Sequence, residues 1–336
     1  MKTKIAINGF GRIGRNAFKI AFERDDLDVT AINDLTDSRT LAYLLQHDTN
    51  YGTYGKKVGF DDEGLIVDGQ HIKVLAEKDP AALPWKDMGV EVVIESTGRF
   101  TKTEDASLHI KAGARRVVIS APAKSEGTET IVLGANDDSL AQAGDIISNA
   151  SCTTNCISPV VNVMDSKFGI AKALMTTVHS YTSTQALQDG PAKDVRKGRA
   201  AAENIVPTTT GAAIATTLVV PSLKGNFNGM SVRVPTPVVS LSDITMLLKQ
   251  DVSKDQVNQA FKEASKQPYY QGILGVTEEE LVSSDFIGDS HSAVVDLNLT
   301  DVVGGNLVKV VAWYDNEWGY SNRLVEVVAD AGKLLK

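Results

Sequence analysis

Cys152 and Cys156 stand four positions apart in the run Ser148-Asn149-Ala150-Ser151-Cys152-Thr153-Thr154-Asn155-Cys156, and the chain has no other cysteine. A strand is expected over 145–149. Ser151, Thr153 and Thr154 can cap a helix that begins there and runs past Val160 and Val163 to Lys167, with Pro159 as a kink or a late first turn. A thiol at a helix start faces the positive end of the dipole, which favours the nucleophilic thiolate. His179 follows 27 residues later, where a strand from Ala171 ends in the polar run Val178-His179-Ser180-Tyr181-Thr182. One helix and one returning strand can carry that ring back to the helix start, so the pair is a candidate nucleophile and base for covalent chemistry on a carbonyl. The bland reading is that a free cysteine fills core space. His47, His71, His109 and His291 read as surface or satisfied core residues, and Cys156 as a buried or supporting thiol. A zinc site would need more ligands than two cysteines and one histidine. No metal is expected.

The elements that must position this pair begin upstream. Ile5 to Asn8 is a short apolar run that ends at Gly9-Phe10-Gly11-Arg12-Ile13-Gly14, and Ile13, Ala17, Ile20 and Ala21 then recur at helical spacing. A second strand, Val29 to Ile32, leads to Asn33-Asp34, with the acid 20 residues past Gly14. Strand, glycine turn, helix, strand and acid form a dinucleotide-binding pattern. The glycines let backbone approach a pyrophosphate at a helix N-terminus, and the acid accepts from ribose hydroxyls. A carboxylate at Asp34 repels a 2′-phosphate, so NAD is favoured over NADP. Strands over 72–75, 90–96, 116–120 and 145–149 alternate with helices at 36–45 and 102–112, which predicts a mostly parallel sheet covered on both faces.

Downstream, Tyr181 to Pro207 is a long, weakly periodic segment holding Asp189, Gly190, Lys193, Arg196, Lys197 and Arg199. Segments of this length are usually functional or interfacial. Thr208-Thr209-Thr210-Gly211 opens an apolar helix reaching Leu218, and its hydroxyls and amides suit either a phosphate or a plain cap. From Ser231 extended strands dominate (232–234, 238–248, 293–299, 307–313), with a helix at 253–266. This predicts an antiparallel sheet with helices on one face. Arg233 sits inside an apolar strand, which is costly unless its charge is paired or faces a ligand. The expected fold is a Rossmann-type doubly wound α/β domain (1–151 and 316–336) plus an α+β catalytic domain (152–315).

At 336 residues, with 43% hydrophobic and 23% charged residues, the chain has room for two domains and a large core. A net charge of −8 argues against nucleic-acid or anionic-membrane binding, so an anionic ligand must be captured locally. No apolar run approaches a membrane span or signal-peptide core, and the unpaired cysteines fit a reducing compartment, so a cytoplasmic location is expected.

Taken together, Ile7 to Arg15, Ser148 to Asn155, Thr176 to Thr182, Pro207 to Ala213, Arg233 to Pro237 and Trp313 to Tyr320 resemble the phosphorylating glyceraldehyde-3-phosphate dehydrogenases, in that family's order and over essentially the whole chain. The resemblance implies NAD-dependent oxidation of glyceraldehyde 3-phosphate in glycolysis, through a Cys152 thioester that inorganic phosphate cleaves, with His179 as base. It implies that Thr182 and Arg233 hold the substrate phosphate, with Arg199 near a phosphate, and that Ser151, Thr153, Thr210 and Gly211 cradle the attacking phosphate. Arg12, Ile13, Asp34, Lys78 and Ser120 would line the cofactor site beside Gly9, Gly11 and Gly14, with Asn316 on the nicotinamide amide. It also implies a homotetramer with the 181–207 segment at subunit contacts. Lys78 stands where many relatives carry arginine, and Gly190 where some NAD-specific relatives carry leucine. Same-fold alternatives are erythrose-4-phosphate dehydrogenase, which hydrolyses the thioester, and semialdehyde dehydrogenases, whose NADPH Asp34 disfavours. A non-catalytic NAD-binding interaction protein would need neither Cys152 nor His179.

Overall fold

In the computed structural model, which describes residues 2–335, the first apolar run becomes the strand Thr3–Asn8, with Ile5, Ala6 and Ile7 fully buried. Burial on both faces is why the run is continuously apolar rather than alternating. It lies inside a sheet of nine strands among the described residues. On one side it pairs in parallel with Leu27–Asn33, and then Gln70–Leu75 follows. On the other side come Val92–Glu95, Arg116–Ile119 and Ile146–Ser148. Strand order reverses between Thr3–Asn8 and Val92–Glu95, so the carboxyl ends of those strands flank a topological switch point, where open α/β sheets bind ligands. The helix Arg12–Phe22 buries Ala17, Phe18 and Ala21, and Phe10 meets Phe18 edge-on with ring centroids 5.6 Å apart. A hairpin, Gly64–Val67 with Gln70–Leu75, extends the sheet antiparallel at its edge through the turn Asp68-Gly69, both residues at positive φ (47° and 84°). That dipeptide is the usual signal for a two-residue hairpin turn.

The second sheet has eight strands among the described residues, and most of its pairs are antiparallel: Ile170–Ser180 with Ser240–Leu248, the latter with Leu307–Tyr314, and that with Ala293–Asp296. Two pairs run parallel, Ile170–Ser180 with Phe227–Val234 and Leu274–Thr277 with Ala293–Asp296. The first of these is possible because the connection contains a full crossover helix, Ala212–Val219. The helix Cys152–Phe168 packs on the central strands and buries nearly its whole first half, Cys156, Ile157, Val160 and Val161 included. It continues through Pro159.

The fold is therefore a Rossmann-type α/β unit joined to an α+β unit with a largely antiparallel sheet. Contacts divide the chain into one unit from the described residues of Met1–Ile131, Asp138–Ala150 and Ser321–Lys336, and another of Val132–Asp137 and Ser151–Tyr320. The C-terminal helix Trp318–Lys333 thus ends within the first unit, where a side chain at Gly332 would strike Thr3. No helix among the described residues is long and apolar enough to cross a membrane.

Candidate active site

Ser151 is the N-cap of the helix Cys152–Phe168. It has extended backbone, and its Oγ accepts from the Thr154 amide at 3.1 Å. Cys152 is the first helical residue, in the field of the unpaired amides. Its Sγ lies 3.5 Å from His179 Nε2, which is hydrogen-bond range for sulfur. His179, 3% exposed, is carried there by the strand Ile170–Ser180, the returning strand expected for it.

The register of the next strand explains what holds the ring. His179 pairs with Arg233 across the parallel ladder, and Arg233 Nη1 lies 2.6 Å from His179 Nδ1 and 2.9 Å from the Ser180 carbonyl. A guanidinium only donates, so Nδ1 is an acceptor and the ring proton sits on Nε2, facing Sγ. Nδ1 also lies 2.7 Å from the Ser180 carbonyl. Both are acceptors in this tautomer, and Arg233 Nη1 supplies an N–H to each. Burial first, and the Arg233 charge second, pull the His179 pKa down to about 3. Cys152 keeps a partial opening to solvent, yet the protein around its sulfur is dry enough that burial pushes the thiol up. The Arg233 charge and hydrogen bonding from Thr153 pull the other way without overcoming it. The resting pair is thus a thiol beside a neutral ring; the helix start alone does not make the thiolate expected of it. Cys156 is fully buried and pushed up by burial.

The remaining residues named from the sequence fall in three groups. Thr153 Oγ1 meets the Tyr314 hydroxyl at 3.0 Å, and the same hydroxyl meets Thr177 Oγ1 at 2.8 Å, which pins the helix start to the sheet. Asn316 is buried, and its Oδ1 accepts from Ser240 Oγ at 2.9 Å. The other four stand apart from the thiol in their bonding. Thr182 Oγ1 pairs with Thr184 Oγ1, Arg199 with Asp189 at 2.8 Å, and Thr210 Oγ1 caps the Ala212 amide beside the N-cap Gly211. Tyr314, Ser180 and Ser240 carried no sequence signal beyond a polar group ending or starting an apolar strand. Val239, at φ 70°, is the strained residue that delivers Ser240: its carbonyl accepts from Ser180 Oγ at 2.6 Å, while the Ser180 amide donates to Ser240 Oγ at 3.1 Å.

The first unit offers a cradle that fits a dinucleotide. A Cβ on Gly9 would lie 2.7 Å from the Thr97 amide, and one on Gly14 only 2.1 Å from the Gly9 carbonyl oxygen, whereas one on Gly11 meets nothing within 4 Å. Two glycines are thus required by packing, and the third leaves open space where a pyrophosphate can approach. Asp34 accepts from the Phe10 amide at 2.7 Å and the Thr36 amide at 3.0 Å, so it shapes the turn and keeps lone pairs for ribose hydroxyls. Arg12 pairs with Asp48 at 2.5 Å and Ile13 is half-buried. Lys78 is exposed in the loop after Gln70–Leu75, and Ser120 directly follows Arg116–Ile119. Glycine turn, Asp34, Lys78 and Ser120 all lie just past carboxyl ends of parallel strands.

Residues 3–103 match the family described as glyceraldehyde 3-phosphate dehydrogenase, NAD binding domain, and residues 151–316 the corresponding C-terminal domain. The chain is 53% identical to glyceraldehyde-3-phosphate dehydrogenase 1 of Bacillus subtilis (strain 168) over 334 residues, 99% of each chain. It is 52% identical to the glyceraldehyde-3-phosphate dehydrogenase of Geobacillus stearothermophilus over 98% of each chain, and 52% identical to that of Streptomyces coelicolor (strain ATCC BAA-471 / A3(2) / M145) over 100% of each.

Proposed function

For a chain that belongs to the glyceraldehyde-3-phosphate dehydrogenase family, we propose that Cys152 is the nucleophile and His179 its proton partner in the oxidation of glyceraldehyde 3-phosphate to 1,3-bisphosphoglycerate. The observation that carries this is the 3.5 Å contact between Sγ and Nε2 at a helix start. The enzyme is an NAD-dependent oxidoreductase of glycolysis, and NAD, when bound, supplies the hydride acceptor. The first unit serves as the NAD-binding domain through Gly9, Gly11, Arg12, Ile13, Gly14, Asp34, Lys78 and Ser120, and the second as the catalytic domain.

Cys152 sulfur adds to the aldehyde carbon as its thiol proton passes by way of His179 to the developing oxyanion, which leaves a thiohemiacetal and a neutral ring. As hydride leaves that carbon, His179 takes the proton of the thiohemiacetal hydroxyl, leaving a thioester on Sγ. Inorganic phosphate, held by Ser151, Thr153, Thr210 and Gly211, attacks the thioester carbon and expels the Cys152 thiolate. Thr182 and Arg233 hold the substrate phosphate, with Arg199 near a phosphate. Arg233 ties this binding to the base. While its N–H occupies Nδ1, His179 cannot take a second proton; a phosphate that draws the guanidinium onto itself frees Nδ1 to carry a proton and donate it to the Ser180 carbonyl 2.7 Å away.

The chain works in the cytoplasm as a homotetramer. An exposed apolar groove supports the assembly: Leu174, Leu247 and Leu307 on the sheet and Ile214 and Leu218 on the helix Ala212–Val219, all more than a third exposed, line about 1080 Å³. A steady-state assay with glyceraldehyde 3-phosphate and with erythrose 4-phosphate, with and without inorganic phosphate or arsenate, tests the reaction. Oxidation of the triose phosphate is expected to depend on added phosphate, and indifference to it would overturn the phosphorylating assignment. Cys152→Ser is expected to abolish turnover while NAD still binds.

A further inference from the structure

His109, on the helix Thr103–Lys111, is fully buried in the first unit, and no catalytic step draws on it. Trp85 Nε1 stands 3.0 Å from its Nδ1. An indole N–H only donates, so Nδ1 accepts and the ring proton is on Nε2, 3.0 Å from Glu95 Oε2. The same oxygen accepts from Asn8 Nδ2 at 2.6 Å, while Oε1 accepts from the Thr97 amide at 2.9 Å and from the Thr97 hydroxyl. Glu95 is an acceptor four times over, and none of these donors is a lysine or arginine. Asn8 carries the network onward: its Oδ1 accepts from Asn33 Nδ2 at 2.7 Å, and Asn33 in turn exchanges bonds with the Glu77 backbone at 2.8 and 2.9 Å. The ends of Thr3–Asn8, Leu27–Asn33 and Val92–Glu95, and the loop after Leu75, are thus tied to one carboxylate. These are the strand ends that bear the glycine turn, Asp34 and Lys78.

A second contact joins the network to the turn. Gly9 is pressed against the Ser96–Thr97 backbone so closely that no Cβ fits, and Ser96 Oγ donates to the Gly9 carbonyl at 2.7 Å. Where Glu95 holds Thr97, Gly9 must follow. A core selected for stability alone would fill this volume with apolar side chains, because a buried carboxylate and its donors are costly to desolvate.

We propose that His109 and Glu95 are positioning residues for the NAD cradle, fixing the Gly9 turn through Thr97 and so setting cofactor affinity without touching the ligand. The inference rests on the NAD-binding reading of the turn. Calorimetric titration of NAD into the full chain, with thermal unfolding and the rate of Cys152 alkylation in NAD-free protein measured alongside, tests it on His109→Leu, His109→Gln and Thr97→Val. His109→Leu is expected to raise the NAD Kd about 10-fold or more, as loss of buried hydrogen bonds does. His109→Gln, whose amide can accept from Trp85 and donate to Glu95, recovers most of the affinity. Thr97→Val, which removes one donor at constant shape, raises Kd several-fold with Cys152 alkylation unchanged. Native NAD affinity in His109→Leu and Thr97→Val, with only the Tm lowered, would make the network purely structural and overturn the proposal. Should His109→Leu not fold, Thr97→Val decides alone. A native chain that binds no NAD would overturn the cofactor reading as well; native binding with unaltered variants overturns this one only.

Discussion

Arg233 is asked both to receive a phosphate and to sit on the base. Its Nη1 holds Nδ1 of His179 at 2.6 Å, and its charge is the second cause, after burial, of a His179 pKa near 3. Replacing it with glutamine keeps an N–H near Nδ1 but removes the charge. The pH at which His179 protonates is then expected to rise from about 3 toward, without reaching, the ordinary value of about 6.5, because burial still disfavours the cation. In an NMR titration the native ring stays unprotonated until acid unfolding, while the Arg233→Gln ring titrates within the folded range. The same substitution would remove the charge-assisted hydrogen bond proposed for the substrate phosphate, worth about 1.5–3 kcal/mol, so KM for the aldehyde phosphate is expected to rise roughly 10- to 100-fold. A His179 midpoint that does not move would show that burial alone sets it, and the coupling of phosphate binding to the base would fall with it.

Among the elements, the glycine turn separates the demands of packing from those of ligand approach. Alanine at Gly14 puts a methyl 2.1 Å from the Gly9 carbonyl oxygen, so backbone must move, and both a lower Tm and loss of NAD binding are expected. Alanine at Gly11 meets nothing within 4 Å and keeps an ordinary φ of −71°. As an N-cap it costs about 0.5–1 kcal/mol, a fall of no more than about 4 °C in Tm, yet its methyl fills the space a pyrophosphate needs. Calorimetry is expected to show NAD binding weakened at least about 10-fold, and native affinity in Gly11→Ala would sink the cradle reading. This turn was legible because strand, glycines, helix and Asp34 are contiguous, as was Cys152 at its helix start. The strand Val206–Thr209 was not: the segment to Pro207 read as loop and Thr208 to Thr210 as a helix start, because Pro207 argues against a strand. It is tolerated because Val206–Thr209 is an edge strand of its sheet, paired among the described residues with Phe227–Val234 alone. Nor was the grip of Arg233 on His179 legible, since it depends on the register of two strands whose partners stand 54 residues apart, and no local pattern records that.

At the scale of the whole molecule, the second sheet poses the remaining physical problem. Along Ile170–Ser180 the residues Ala173, Met175, Thr177 and His179 face the core, while Leu174 and Val178 stand 66% and 36% exposed on the other face. Neighbouring strands add Met230, Leu247 and Leu307 to that face. An apolar patch of this kind on a sheet marks an interaction surface, and a second copy of the chain is the occupant that a homotetramer requires. In a symmetric assembly each substitution acts twice at a two-fold interface. Burying one leucine is worth about 1.5–3 kcal/mol, so Leu174→Glu is expected to cost at least roughly 3–6 kcal/mol per pair of chains, raising the dissociation constant of that interface by about 10²- to 10⁴-fold. Its fold should be unharmed, because residue 174 faces away from the core of its own sheet. Sedimentation of the native protein is expected to give four times the 36.0 kDa chain mass, and Leu174→Glu to shift it to smaller species at micromolar concentration with circular dichroism unchanged. A native monomer would sink the tetramer outright. An unchanged mass in Leu174→Glu would move the interface elsewhere, leaving this face without an occupant.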